Sequence, residues 1–373
     1  MNGLPLSTNR GVTMDCQELV RGLVVETDQA LYEIVFGQIQ IEITGRCNMR
    51  CQHCRAANDL TQDMPLEQIL KVVQFGRRYS PNHKELLLSG GEPLLHRQFG
   101  EVLTAVRERG GDFVTLTTNG SVFGVQHLDL LAELQFKRFM LSVSLDSLVP
   151  EDHDSFRQSP GAHRKAVAAI RMITEARIPN VITSVRMTLR PSQIENMSAM
   201  AEFAYKSGCH RVSFSSIHPS GRALLDPGLW MTVDQKRRFI DQVYQLKKQY
   251  PESFQISTND PLKCLVRGSS DFGNEGEIVF DGCPAAAVTF NVFANGDLTP
   301  CALMNLPIMN VFPLTLDEIA DRYQASEIVR NMLDMNLKGK CGLCGKKYQC
   351  GGCRARALGR MNDYLAEDPD CWL

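Results

Sequence analysis

Three cysteines, Cys47, Cys51 and Cys54, stand in the order C-x3-C-x2-C, and seven more fall between Cys283 and Cys371. Clustered thiols in a reducing compartment bind metal or carry redox chemistry more readily than they form structural disulfides. Three thiolates on one short loop can hold an iron–sulfur cube while leaving its fourth iron without a protein ligand. Such an open position is what a catalytic metal requires. The same spacing suits zinc if a fourth ligand joins, and His53 is at hand for that. The two close pairs near the end, Cys341 with Cys344 and Cys350 with Cys353, read as iron–sulfur or zinc ligands alike. Cys16, Cys209 and Cys264 stand alone.

A repeated pattern must position these thiols. Short apolar runs at 38–44, 85–89, 113–118, 139–144, 181–187 and 211–216 predict strands. Helix-like segments at 66–79, 99–109, 128–134, 162–175 and 193–207 alternate with them. Six strands separated by helices imply parallel βαβ crossovers, hence an α/β fold, a doubly wound sheet or a barrel. Either architecture places chemistry at the C-terminal ends of its strands. Cys47 follows the first strand, Gly90-Gly91-Glu92-Pro93 the second and Thr118-Asn119-Gly120 the third, while Ser144 and Asp146 close the fourth. The unusual residues therefore collect on one rim.

After Pro219-Ser220-Gly221-Arg222 the alternation stops, and a charged helix is expected at 233–249. The runs 288–292 and 298–300, joined by Asn295-Gly296, predict a hairpin with a tight turn. The cysteine-, glycine- and lysine-rich end cannot build an ordinary core and suggests stabilisation by metal. The first 35 residues carry little signal.

The chain has 373 residues, 43% hydrophobic and 22% charged, with a formal net charge of −2. That length allows two domains. The charge gives no broad attraction for nucleic acid or an anionic membrane surface. There is neither a secretory signal nor an apolar run long enough to span a bilayer. The expected location is the cytoplasm.

On Cys47, Cys51 and Cys54 and on Gly90-Gly91-Glu92-Pro93, residues 36–225 resemble the radical S-adenosylmethionine (SAM) superfamily. The resemblance implies a partial (β/α)6 TIM-like barrel. It also implies a 4Fe–4S cluster on the three cysteines, whose open iron is chelated by SAM. Reductive cleavage of SAM would then yield a 5′-deoxyadenosyl radical that abstracts hydrogen from a substrate. His53 takes the place of the aromatic residue beside the adenine. Gly90, Gly91, Glu92 and Pro93 take that of the element at the SAM amino group, and Ser144 and Asp146 that of the ribose contacts. Thr118 and Asn119 are further rim contacts, and Arg186 could reach the SAM carboxylate.

Cys283, Gly296, Cys301, Cys341, Cys344, Cys350, Cys353 and Cys371 resemble the SPASM domain, a C-terminal extension of many peptide-modifying members. Cys350 and Cys353 are one residue closer together than that family's usual spacing. Carried over by position, Cys283, Cys301 and Cys353 would hold a first auxiliary 4Fe–4S cluster, with Cys264 as the available fourth ligand. Cys341, Cys344, Cys350 and Cys371 would hold a second, making three clusters in all. The domains implied are an N-terminal extension (1–35), the barrel (36–232), a helical linker (233–255) and a small SPASM domain with a hairpin and helices (256–373).

The resemblance favours oxidative modification of a peptide or protein, with a cross-link in a ribosomally made precursor peptide as the leading expectation. A flavodoxin or ferredoxin would act as reductant. Only 46 residues precede Cys47, so leader recognition is expected to use the barrel face or another protein, or the substrate to have no leader at all. Alternatives are a formylglycine-type sulfatase maturase, an aminocyclitol dehydrogenase and a tetrapyrrole side-chain oxidase. A non-catalytic iron–sulfur or zinc protein is the alternative of a different class. It would need the cysteines but not Gly90–Pro93, so that mutating Glu92 would be silent.

Overall fold

The computed structural model describes residues 22–56, 60–79, 85–266 and 282–373; Cys16 lies outside them. A hairpin of β1 (Leu23–Glu26) and β2 (Leu31–Ile34) precedes the main unit. The alternating unit runs β3 (Gln38–Thr44), α1 (Leu66–Arg78), β4 (Glu85–Gly90), α2 (Phe99–Glu108), β5 (Phe113–Thr118), α3 (Val125–Leu134) and β6 (Arg138–Ser144). It continues through α4 (Pro150–Arg157), α5 (Ala162–Ala176), β7 (Val181–Leu189), α6 (Met197–Lys206) and β8 (Arg211–Ser216). Then come α7 (Val233–Gln249), β9 (Gln255–Ser257), β10 (Thr289–Val292), β11 (Asp297–Thr299) and β12 (Met309–Asn310). The last helices are α8 (Leu316–Ala325), α9 (Glu327–Leu333), α10 (Gly339–Leu343), α11 (Lys347–Cys350) and α12 (Arg354–Met361).

Ten strands form one sheet in the order β12-β11-β10-β3-β4-β5-β6-β7-β8-β9. Every neighbouring pair from β10 to β9 is parallel, while β11 and β12 run antiparallel at one edge. The sheet is an open, partial barrel: among the described residues β9 does not pair with the opposite edge. The hairpin of β10 and β11 does not stand apart. It continues the barrel sheet through the pairing of β10 with β3.

Period-two alternation explains the two faces. On β3, Ile39, Ile41 and Ile43 pack into the core under the helices, so Gln38, Gln40, Glu42 and Thr44 face the lumen. The helices answer with apolar stripes, such as Ile69, Leu70, Val72, Val73 and Phe75 on α1. Helix α7 begins at a capping box: the Gln235 N–H donates to Thr232 Oγ1 (3.3 Å), and the Thr232 N–H to Gln235 Oε1 (2.9 Å). Two departures from the sequence reading have local causes. Pro191 opens a 3-10 turn over Pro191–Asn196, so α6 starts at Met197 rather than 193. Helix α4 was not anticipated; it is short and polar (PEDHDSFR), with only His153, Phe156 and Arg157 buried.

A buried charge cluster locks the C-terminal tail to the barrel. Arg356 on α12 donates to Asp260 (2.7 and 3.1 Å) and to Asp368 (2.9 and 2.7 Å), and Lys236 on α7 reaches Asp260 at 2.8 Å. Arg356, Lys236, Asp260 and Asp368 are each at most 1% exposed. Removing one member strands the others as buried, unpaired charges. R356L is therefore expected to lower the unfolding free energy by about 3–5 kcal/mol, measured by urea unfolding of protein matched for iron content. A shift no larger than that of a surface arginine variant would show that the cluster contributes little.

Candidate functional site

The cysteine loop leaves the C-terminal end of β3 and is held from two sides. The Gln52 N–H donates to the Phe156 carbonyl at the end of α4 (3.0 Å). From beyond β8, the Arg222 N–H donates to Cys54 O and its Nε to Cys51 O, both at 2.9 Å. That second clamp depends on Gly221, which has φ +53°; a Cβ there would lie 2.3 Å from Cys54 O. Cys51 and Cys54 pack with Met49 and Ala162. Burial pushes the Cys51 thiol up, while the nearby Arg157 guanidinium pulls it back toward the thiolate.

The Gly90–Pro93 turn lies against this loop. The Gly91 N–H donates to Thr44 O (2.8 Å) and the Glu92 N–H to Arg46 O (2.7 Å). Gly90 has φ +139°, and a Cβ there would sit 2.2 Å from Thr44 O, so only glycine fits. Glu92 is buried and accepts the Thr118 hydroxyl (2.6 Å), the Asn119 N–H (2.7 Å) and the Leu94 N–H (3.3 Å). Burial still raises its carboxyl to about 7. Thr118 thus holds Glu92, while Asn119 also donates its side-chain amide to Asn48 of the cysteine loop (3.0 Å).

Ser144 is buried at the end of β6. Asp146, two residues on, accepts Arg157 Nε (2.6 Å) on one oxygen and the Thr188 N–H (3.0 Å) on the other. Its burial alone would raise the carboxyl, but Arg157 outweighs that and holds it at about 2. His53 stacks on Phe156 with centroids 4.4 Å apart. Burial drives the imidazole pKa down to about 3, so it is neutral, and its buried Nδ1 has no hydrogen-bond partner.

Two carboxylates face the lumen from β3 and β4, and each is taken: Glu42 by Arg55, and Glu85 by Arg138 at 3.3 Å. Arg55, next to Cys54, also donates to Ala302 O (2.9 Å) and Ser89 Oγ (3.3 Å). It thereby ties the catalytic loop to the segment after Cys301. Sequence reasoning missed Arg55, Arg157 and Arg222. Arg55 adjoins the third cysteine, but nothing in its local sequence signals a partner 247 positions away.

None of the twelve described cysteines is in a disulfide. Cys283 lies within electrostatic reach of both Cys301 and Cys353, which gathers those three. In a second group, backbone N–H groups point at sulfur: Asp368 to Cys341 (3.3 Å), Lys346 to Cys344 and Gly352 to Cys350 (both 3.4 Å). Cys371 packs beside Cys350. Cys264, considered for the first group, instead packs with Cys350 and Cys371 and is hydrogen-bonded to the Cys350 thiol. The cause is the turn Pro261–Leu265, which docks on α11. Cys209 is buried in the main core just before β8, where its N–H donates to Ala204 O (3.0 Å).

Among the described residues, no three His, Cys, Asp or Glu side chains converge closely enough to hold one metal ion. A zinc site requires four donors at ~2.0–2.3 Å. A multi-iron cube spreads its ligands over a larger body, and amide N–H groups aimed at sulfur suit thiolates that share such a cube's charge. The donor set thus fits an iron–sulfur cluster.

Fold and loop together define the class. The profile of the Radical SAM superfamily matches residues 41–204, and this chain is a radical SAM enzyme, a class that uses SAM and a 4Fe–4S cluster. It is similar to the AdoMet-dependent heme synthase of Methanosarcina barkeri, with 29% identity over 347 residues, 88% of this chain and 94% of that protein. It is also similar to AlbA, the antilisterial bacteriocin subtilosin biosynthesis protein of Bacillus subtilis, at 21% identity over 89% of this chain and 70% of that one. In fold it is similar to Streptococcus suis SuiB crystallised with its precursor peptide SuiA. The TM-score is 0.72 at 16% identity, covering 91% of this chain and 77% of that chain. No helix among the described residues is long and apolar enough to cross a membrane.

Proposed function

We propose that this enzyme oxidatively modifies the side chains of a tetrapyrrole, using a catalytic cluster on Cys47, Cys51 and Cys54. The observation that carries the reading is the likeness to a heme synthase over nearly the whole of both chains, joined to the polar and charged residues, Gln40, Glu42, Arg186 and Arg211 among them, at the inward positions of the strands. When bound, the reduced cluster and SAM supply a carbon radical able to remove a hydrogen atom from an unactivated C–H bond.

The chain's own residues position and enclose. Glu92, in its ionised form, receives the SAM ammonium group, and Arg186 the SAM carboxylate. His53, neutral and stacked on Phe156, offers an apolar face to the adenine. Ser144 and Asp146 receive the ribose, with Asp146 oriented by Arg157 and the Thr188 N–H. Cys283, Cys301 and Cys353 hold one auxiliary cluster, and Cys341, Cys344, Cys350 and Cys371 a second, with Cys264 beside the latter. A flavodoxin or ferredoxin delivers electrons. The C-terminal domain, on this reading, is of the SPASM kind.

A second reading, a peptide maturase, draws on the likeness to AlbA and on the fold shared with a structure that holds a precursor peptide. Anaerobic reconstitution followed by SAM-cleavage assays separates the two. Iron coproporphyrin III, which carries four propionates, is expected to be converted to a product of altered mass in step with 5′-deoxyadenosine release. Conversion of a co-encoded peptide, with the porphyrin untouched, would establish the second reading instead. Stoichiometric zinc without SAM cleavage would defeat both.

A further inference from the structure

We propose that Arg211 anchors a carboxylate of the substrate on the lumen face of the barrel, one pleat below Arg186. The inference rests on the tetrapyrrole reading and narrows it to substrates whose acid groups are free.

The first support is position. Val185 and Met187 on β7 and Val212 on β8 pack into the core beneath the helices. Arg186 and Arg211, alternating with them, therefore face the lumen. Ser184 pairs with Arg211 and Arg186 with Ser213, so the two arginines sit on neighbouring strands, two residues apart in height. Strand geometry separates their Cα atoms by about 8 Å.

The second support is charge. Glu42 and Glu85 are the only acidic residues at lumen-facing positions of the eight parallel strands, and Arg55 and Arg138 already hold them. Among the described residues, neither Arg186 nor Arg211 makes an ion pair, and the Arg186 guanidinium makes no hydrogen bond. Arg211 donates Nε to Ser257 Oγ (2.9 Å) and Nη1 to Met140 Sδ (3.6 Å), which leaves Nη2 without an acceptor. Burial disfavours both charges; Arg55 and Arg211 weigh further on Arg186 while Asp146 attracts it from a distance, and Glu85, already held by Arg138, attracts Arg211 in the same way. Half-buried guanidinium groups outside any direct ion pair are costly unless an anion arrives. Arg186 lies close to His53 and is matched by the one carboxylate of SAM. Arg211 lies deeper, and the remaining charge calls for a carboxylate that SAM does not supply. A planar fork suits carboxylates better than an ammonium group would.

The test compares iron coproporphyrin III with its tetramethyl ester, which has the same ring but no acid groups. Binding to the anaerobically reconstituted, SAM-loaded enzyme is followed by the porphyrin absorbance. Wild type is expected to bind the acid at least about tenfold more tightly than the ester. R211M should abolish that margin, with wild-type iron content as the check on folding. R211K, which keeps the charge but not the fork, should retain only part of it. Equal binding of acid and ester by wild type, or an undiminished margin in both variants, would overturn the assignment while leaving the tetrapyrrole reading intact. If wild type binds neither porphyrin, the tetrapyrrole reading itself falls, and this assignment with it.

Discussion

Alanine at Cys47, Cys51 and Cys54 together is expected to lower the iron content of the reconstituted chain from about twelve per chain to about eight, and to abolish 5′-deoxyadenosine release. The loss is confined to four irons because the three thiols lie on one loop, far in sequence from the two C-terminal groups. That loop is clamped through main-chain bonds from Gln52 to Phe156 and from Arg222 to Cys51 and Cys54. None of these bonds uses a thiol, so the loop keeps its course when the sulfurs are removed. Iron and sulfide analysis with a dithionite-driven SAM-cleavage assay checks both halves. Loss of all iron would mean that the auxiliary groups cannot assemble alone. Retention of cleavage would remove these cysteines from the catalytic site.

Glu92→Gln carries the second large effect. Losing a charged acceptor for the SAM ammonium group should weaken SAM binding by roughly ten- to a hundredfold. The pH dependence is the sharper readout. The folded chain holds the Glu92 carboxyl at about 7, above its ordinary value of 4.5, because burial disfavours the charge. The proton is thus bound more tightly in the folded than in the unfolded state. Its contribution to the stability of the SAM-free protein is complete below the unfolded value and is lost as pH rises through about 7. An arriving ammonium group favours the ionised form, so the ratio of wild-type to glutamine-variant SAM affinity should climb as pH rises through about 7, the titration of the SAM amino group being common to both. SAM titrations from about pH 6 to about pH 8.5 decide it. Parallel pH profiles would mean that Glu92 serves only to hold Thr118 and Asn119.

The auxiliary groups show where local reading stops. The pairs Cys341 with Cys344 and Cys350 with Cys353 were visible as spacing. The division of the sulfurs into two groups came from the resemblance and not from spacing, because the chain returns from far away. Cys264 was weighed as a partner of Cys283, Cys301 and Cys353, yet the turn that carries it docks on α11 and sets it against Cys350. Asp146 stands in the place of a ribose contact, and what the sequence did not show is that its carboxylate also holds an arginine from α4, a short polar helix that its sequence scarcely announces. The β1–β2 hairpin likewise lies where the sequence carried little signal. Both are small elements whose conformation is fixed by what they pack against rather than by their own periodicity.

By itself the sequence determined the alternation of strands and helices, the rim on which Cys47, Gly90 and Glu92 gather, and the class of chemistry. All of these are encoded in neighbouring residues: period-two and period-3.6 patterns, a glycine pair, and cysteines a few positions apart. Only the tertiary structure decided that β10 and β11 extend the barrel sheet, that Arg55 ties Cys54 to the segment after Cys301, and that Arg186 and Arg211 make no direct ion pair among the described residues. Those facts depend on which strands become neighbours and which charges meet across the lumen. Coulombic pairing acts through space, and residues hundreds of positions apart settle it only once the sheet has curled.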